Sequence, residues 1–200
     1  MRVKTEERRQ SIVEIAKEAF IQQGFEQTSM SYIAKKVGGS KATLYNYFSS
    51  KEEIFSAVME SSVTHDVADA FQKLSTSKEL QVALFDFGYH YLESVLSPGL
   101  GAIRKMAISE SGRSDVSRYF YENGPGKGRA YAAQYLKKQM EAGELIEADP
   151  ILAASQLVAL LDAELLTPVE LNVIEKPSKQ KIEQVAQTAI NSFLKLYKKV

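Results

Sequence analysis

Residues 41–47 place Lys41, Ala42, Thr43, Tyr45, Asn46 and Tyr47 on the outer face of one short helical stretch. Small residues at its start let a helix end come close to the edges of bases. Ala42 and the methyl of Thr43 can touch a thymine methyl, and Lys41 can reach guanine O6/N7 or a phosphate. The hydroxyls of Tyr45 and Tyr47 can donate to phosphate oxygens. Thr28 and Lys51 fall at expected helix N-termini, where free N–H groups and the helix dipole favour phosphate. This is the chemistry of gripping a nucleic acid, with no bond made or broken.

The elements around this face read clearly. A helix over 5–23 starts at Thr5 as cap and buries Ile12, Ile15, Ala16, Ala19 and Phe20. Gly24 is expected to close it in a left-handed cap, locked by Phe25. A second helix follows Thr28 as N-cap and buries Met30, Ile33, Ala34 and Val37. Gly38-Gly39 breaks it, since glycine takes positive φ at little steric cost. Ser40 caps the third helix, which turns only Leu44 and Phe48 inward. The stretch Thr28–Lys51 is therefore a helix-turn-helix, a device for setting one helix in the major groove of DNA. Ser50-Lys51-Glu52-Glu53 forms a capping box for a fourth helix, expected to run to about Phe71 with Ile54, Phe55, Val58 and Met59 on its inner face.

Composition narrows the classes. The 200 residues carry no net charge and no cysteine, which excludes disulfide scaffolds, thiolate metal sites and cysteine nucleophiles. Charge is unevenly spread: residues 1–50 hold eight basic side chains against five acidic ones, so a basic head precedes an acidic body. That split suits phosphate binding by the head. Charged residues run through the first twenty positions and no apolar run could span a bilayer, so a cytoplasmic, non-membrane protein is expected.

Beyond the head the pattern is helical throughout, with helices expected at 79–96, 100–110, 114–123, 127–142, from Pro150 behind an Asp149 cap, and at 178–198. Ser97-Pro98-Gly99 and Asn123-Gly124-Pro125-Gly126 are read as breaks, and Pro168 and Pro177 as the ends of a loop. Apolar stripes mark the two last long helices: Ile151, Ala154, Leu157, Val158 and Leu161, then Ile182, Val185, Ala186, Ala189, Ile190, Phe193 and Tyr197. No segment alternates at period two, so the fold class is all-α: a three-helix head at 1–50 and a larger helical domain at 51–200. His90 and Asp86, four apart on one helix, read as a hydrogen-bonded pair and not a metal site. The glycine-rich Gly124–Gly128 stretch lacks Walker spacing. No catalytic residues, metal or cofactor are assigned.

The head resembles the TetR family of bacterial transcriptional regulators. The likeness rests on A-x-x-x-F-x-x-x-G-F (Ala16, Phe20, Gly24, Phe25), on T-S-M-x-x-I-A (Thr28 to Ala34), and on G-x-S-K-A-T-L-Y-x-Y-F-x-S-K-E (Gly38 to Glu52). By that resemblance Lys41, Ala42, Thr43 and Tyr45 match positions that read bases or the nearby backbone, and Thr28, Ser40, Tyr47 and Lys51 match phosphate-contacting positions. The family usually carries an apolar residue where this chain has Gly39, so the turn is expected to pack loosely. The stretch DVSRYFYENGPGKG is similar to a subgroup with an F-Y-x-x-G-P signature.

The resemblance implies a ligand-responsive, dimeric DNA-binding regulator that represses from a pseudo-palindromic operator and is released by a small apolar effector. It implies a homodimer through residues 150–165 and 178–198, and an effector pocket in the larger domain. Candidates for its lining are Phe85, Phe87, His90, Tyr91, Met106, Phe120, Tyr121, Tyr131 and Tyr135. Two other readings compete: an enzyme or small-molecule-binding protein using the same cavity, and a head that binds protein instead of DNA. The absence of a nucleophile–base set argues against catalysis, and the polar third helix against the second.

Overall fold

The computed structural model describes residues 5–62, 74 and 79–199. The expected extension of the fourth helix to Phe71 lies outside them, as do Arg2, Lys4 and His65. The described residues are helical throughout, and the only pairing of extended chain among them is an isolated antiparallel bridge between Leu145 and Lys198. None of these helices is long and apolar enough to cross a membrane.

In chain order the helices are α1 (Glu6–Gln23), α2 (Met30–Val37), α3 (Lys41–Tyr47), α4 (Lys51–Ser62), α5 (Leu80–Val95), α6 (Pro98–Ser109), α7 (Val116–Asn123), α8 (Pro125–Glu141), α9 (Pro150–Asp162), α10 (Leu166–Glu170) and α11 (Lys179–Tyr197). They form two compact units, one of residues 1–62 with 102–121, the other of 63–101 with 122–200.

Local rules explain most ends. Thr5, Ser40 and Ser178 each accept a backbone N–H three residues on, and Asp149 accepts those of Ile151 and Leu152 ahead of Pro150. Three prolines behave differently from expectation. Pro98 and Pro125 open α6 and α8, because a proline at the first helical position gives up only an N–H that has no partner there. Pro168 sits in the first turn of α10, where a plain loop was expected. Gly24 takes positive φ (84°) but an extended ψ (160°), so the end of α1 is not a left-handed cap.

The first unit is held by an aromatic cluster. The Phe20, Phe25 and Phe55 rings lie 5.2–6.1 Å apart, and Phe55 meets Tyr119 edge-on at 6.2 Å. Segment 102–121 adds two polar ties. The Tyr119 hydroxyl shares a hydrogen bond with Ser56, and the Glu110 carboxylate, 4 % exposed, accepts the Glu26 N–H at 3.4 Å.

The second unit closes on Phe87, Leu92, Leu157, Leu161, Ile190 and Phe193. Gly88 permits the close approach of α5 to α9: a Cβ there would stand 2.9 Å from Leu161 Cδ2. The apolar stripes expected to pair two subunits are largely buried inside one. Ala154, Leu157, Val158 and Leu161 of α9, and all seven stripe residues of α11, belong to this chain's own interior, since the helices pack on α5 and on each other. Ile151, at 66 % exposure, is the exception. The outward faces are different residues: Leu152 and Ala159 on α9, and Gln184, Thr188, Asn191 and Lys195 on α11.

Candidate nucleic-acid interface

The turn between α2 and α3 is built by one glycine. Gly38 adopts the left-handed conformation (φ 71°, ψ 40°). The N–H groups of Gly38 and Gly39 return to the carbonyls of Lys35 (3.1 Å) and Ala34 (3.0 Å). Gly39, in contrast, has no positive φ, so the backbone does not require glycine there. Gly38→Ala is therefore expected to cost about 1–2 kcal/mol for the left-handed conformation. Gly39→Ala should be neutral or gain up to about 1 kcal/mol through a less flexible unfolded chain. Urea unfolding of both variants checks this; equal losses would contradict the assignment.

Ser40 then starts α3. Its Oγ accepts the Thr43 N–H at 3.0 Å and shares a 2.8 Å hydrogen bond with the Thr43 hydroxyl. Leu44 is the one fully buried residue within α3, and Phe48 follows as its second anchor. The remaining residues of the helix lie at or near its surface. Lys41, Ala42, Tyr45 and Asn46 are exposed, and Thr43 and Tyr47 half-buried. The Lys41 ammonium leans over the Tyr45 ring at 5.8 Å, which keeps both groups at the helix surface. The Tyr47 hydroxyl accepts the Thr5 N–H at 3.3 Å, bringing the start of α1 against α3.

Seven of the nine expected contact residues are thus gathered on α3 and its cap. The other two are engaged elsewhere. Thr28 is fully buried, and its hydroxyl donates to the carbonyls of Gly24 (2.8 Å) and Ala19 (3.3 Å). The cap of α2 is Ser29, one residue later, whose Oγ accepts the Tyr32 N–H at 3.1 Å. The Lys51 ammonium donates to the Phe25 carbonyl at 2.8 Å and lies 4.2 Å from the centre of the Phe25 ring. Both side chains clamp the α1–α2 loop that orients the motif. Glu110 grips the same loop from the other end of its sequence, through the Glu26 N–H. Nothing in a lone glutamate between two generic helices could have announced that contact.

Residues 82–199 match the family described as "AefR-like transcriptional repressor, C-terminal domain", and residues 12–58 match "Bacterial regulatory proteins, tetR family". The chain belongs to the TetR family. Among solved TetR-like structures, a TetR-family transcriptional regulator from Mesorhizobium loti is 27 % identical, with a TM-score of 0.82 over 98 % of this chain and 100 % of that one. The Flavonoid-responsive Regulator FrrA is 32 % identical, with a TM-score of 0.79 over 97 % of this chain and 98 % of that one. The HTH-type transcriptional activator FasR of Mycolicibacterium smegmatis is 34 % identical over 96 residues, 44 % of each chain. The matched region spans less than half the length of the curated relatives. The TetR assignment bears out the family resemblance and the all-α reading.

The residues expected to line an effector pocket divide between the units of this TetR-family chain. Met106, Phe120 and Tyr121 belong to the first; the former two are buried and Tyr121 is exposed. In the second, Phe87 is fully buried in the core, and Tyr131 is exposed. Phe85, His90, Tyr91 and Tyr135 are half-buried. The Tyr91 hydroxyl donates to Asp162 at 3.0 Å, and His90 Nδ1 lies 3.9 Å from Glu93. Burial pushes the Tyr135 phenol above the ordinary tyrosine value, so it is a neutral donor near pH 7.

Proposed function

We propose that this chain is a cytoplasmic, homodimeric repressor that binds a pseudo-palindromic duplex operator through α3 and is released by a small apolar effector. It is a regulator and not an enzyme. The observation that carries the reading is α3 itself. A seven-residue helix anchored by Leu44, presenting Lys41, Ala42, Thr43, Tyr45, Asn46 and Tyr47, gives a protein core almost nothing and a major groove a great deal. Residues 1–50 form the contacting head, and residues 51–200 the effector-binding and dimerising part. Thr28 and Lys51 serve the operator by fixing the α1–α2 loop, and Ser40 by capping α3.

A single helix-turn-helix reads a half-site, so two copies are needed. The outward faces of α9 and α11, with Ile151, Leu152 and Ala159 on one and uncharged Gln184, Thr188 and Asn191 on the other, supply the pairing surface within 150–165 and 178–198. An apolar effector suits the half-buried aromatic side chains Phe85, Tyr91 and Tyr135 of the second unit, and the likeness to a regulator described as flavonoid-responsive supports it. Release requires that the effector bind the two head arrangements with different affinity.

Selection from random duplexes with purified protein tests the reading. It should enrich inverted half-sites whose centres lie one helical turn, about 34–36 Å, or a multiple apart. Lys41→Ala and Thr43→Ala should shift the enriched bases. No enrichment over random DNA sinks the DNA reading, and a monomer at micromolar concentration in the ultracentrifuge sinks the dimer.

A further inference from the structure

Gly39 departs from the family pattern, and its backbone does not explain why. The space above it does. A Cβ built on Gly39 would stand 3.4 Å from Arg8 Nη2 and 3.7 Å from Thr43 Cβ. A bare Cβ already makes a tight contact at 3.4 Å, so a larger, branched side chain there would require the guanidinium to shift. The missing side chain is the room in which Arg8 lies.

The backbone beneath Arg8 is fixed by its neighbours. Its backbone N–H donates to the capping hydroxyl of Thr5 at 3.3 Å, and the Thr5 N–H in turn donates to the Tyr47 hydroxyl of α3. The guanidinium makes a single long hydrogen bond, 3.4 Å, to the carbonyl of Gly38 in the turn. Five N–H donors are available on that group, so most of its capacity is unused. Among the described residues it has no carboxylate partner. The head's other nearby cations are differently placed. Arg9 sits over the Phe48 ring at 5.1 Å and 3.7 Å from Glu6, and Lys51 is bonded to the α1–α2 loop.

We infer that Arg8 is a further DNA-contacting residue, its guanidinium gripping a backbone phosphate beside the start of α3 in the space that Gly39 leaves open. This deepens the proposed operator binding and rests on it. A planar guanidinium with free paired donors matches a phosphate bidentately. Beside the turn that precedes a recognition helix, the group meets the strand at the groove edge, not the bases within it. Arg8 therefore adds affinity and register, and leaves sequence preference to Lys41, Ala42 and Thr43.

The test measures affinity for the operator duplex selected by the wild-type protein, across a salt series. Each phosphate contact contributes about 0.9 to the slope of log K against log salt concentration, so losing one per head flattens a dimer's slope by about two. Arg8→Ala should show that flattening, with an unchanged preference among operator bases. Arg8→Lys should keep the slope and lose affinity several-fold. Gly39→Val should act as Arg8→Ala does, and should add nothing in the Arg8→Ala background. Thermal unfolding of each variant reports the fold separately, because a purely structural loss would not alter the salt slope. A wild-type slope in Arg8→Ala overturns the inference while operator binding stands, as does a Gly39→Val loss that persists without Arg8. A wild-type protein that selects no duplex overturns both.

Discussion

Replacing Ala42 with glutamate is expected to lower operator affinity by at least ~100-fold while leaving the head as stable as before. Ala42 is exposed in the first turn of α3, and its Cβ is not part of the core. For the free protein the change is mild, even favourable: an acidic side chain near a helix N-terminus complements the dipole, by about 0.3–1 kcal/mol. Against DNA the sign reverses. If α3 enters the groove as proposed, a carboxylate in its first turn meets the phosphates in both half-sites, and like-charge juxtaposition costs several kcal/mol. Fluorescence anisotropy with a labelled operator, alongside thermal unfolding, separates the two effects. Wild-type affinity in this variant would mean that the first turn of α3 does not face the duplex.

The largest stability effect is expected at Phe55. Its ring is 1 % exposed and lies against Phe20, Phe25 and Tyr119 at centroid distances of 6.1, 5.6 and 6.2 Å. Truncation to alanine removes a full core ring and leaves a cavity, about 3–5 kcal/mol. That is a large share of the roughly 5–15 kcal/mol that holds a domain folded. Phe25 would lose its seat as well, and with it the loop that Lys51 and Thr28 fasten. The urea midpoint should fall sharply and operator binding should fall with it. A loss below about 1 kcal/mol would show that the cluster is not packed as described.

What the sequence discloses here depends on how local the physics is. The turn at Gly38, the caps at Thr5, Ser40 and Asp149, and the bare outer face of α3 all follow from rules spanning a few residues. Thr28 and Ser29 can both cap a helix by those rules. The choice between them is made when the Thr28 hydroxyl is drawn between the carbonyls of Ala19 and Gly24, which is a tertiary event. Lys51 is similar: a long cation at a helix start suits a phosphate and a loop carbonyl equally, and only the folded position of Phe25 decides. The stripe on α11 announces that one face is apolar, not whether a neighbouring helix or a second subunit covers it. Proline marks an edge without saying whether a helix is ending or beginning, so Pro98 and Pro125 were legible as breaks and not as starts.

Segment 102–121 bears on how such regulators can be recombined. Its Glu110 holds the Glu26 N–H and its Tyr119 meets Ser56 and Phe55, although forty or more residues separate it from the end of α4. A chimera made by cutting after the fourth helix would carry α3 away and leave part of its foundation behind. Heads exchanged between relatives should keep their footing only when residues 102–121 travel with them, as three crossovers and not one.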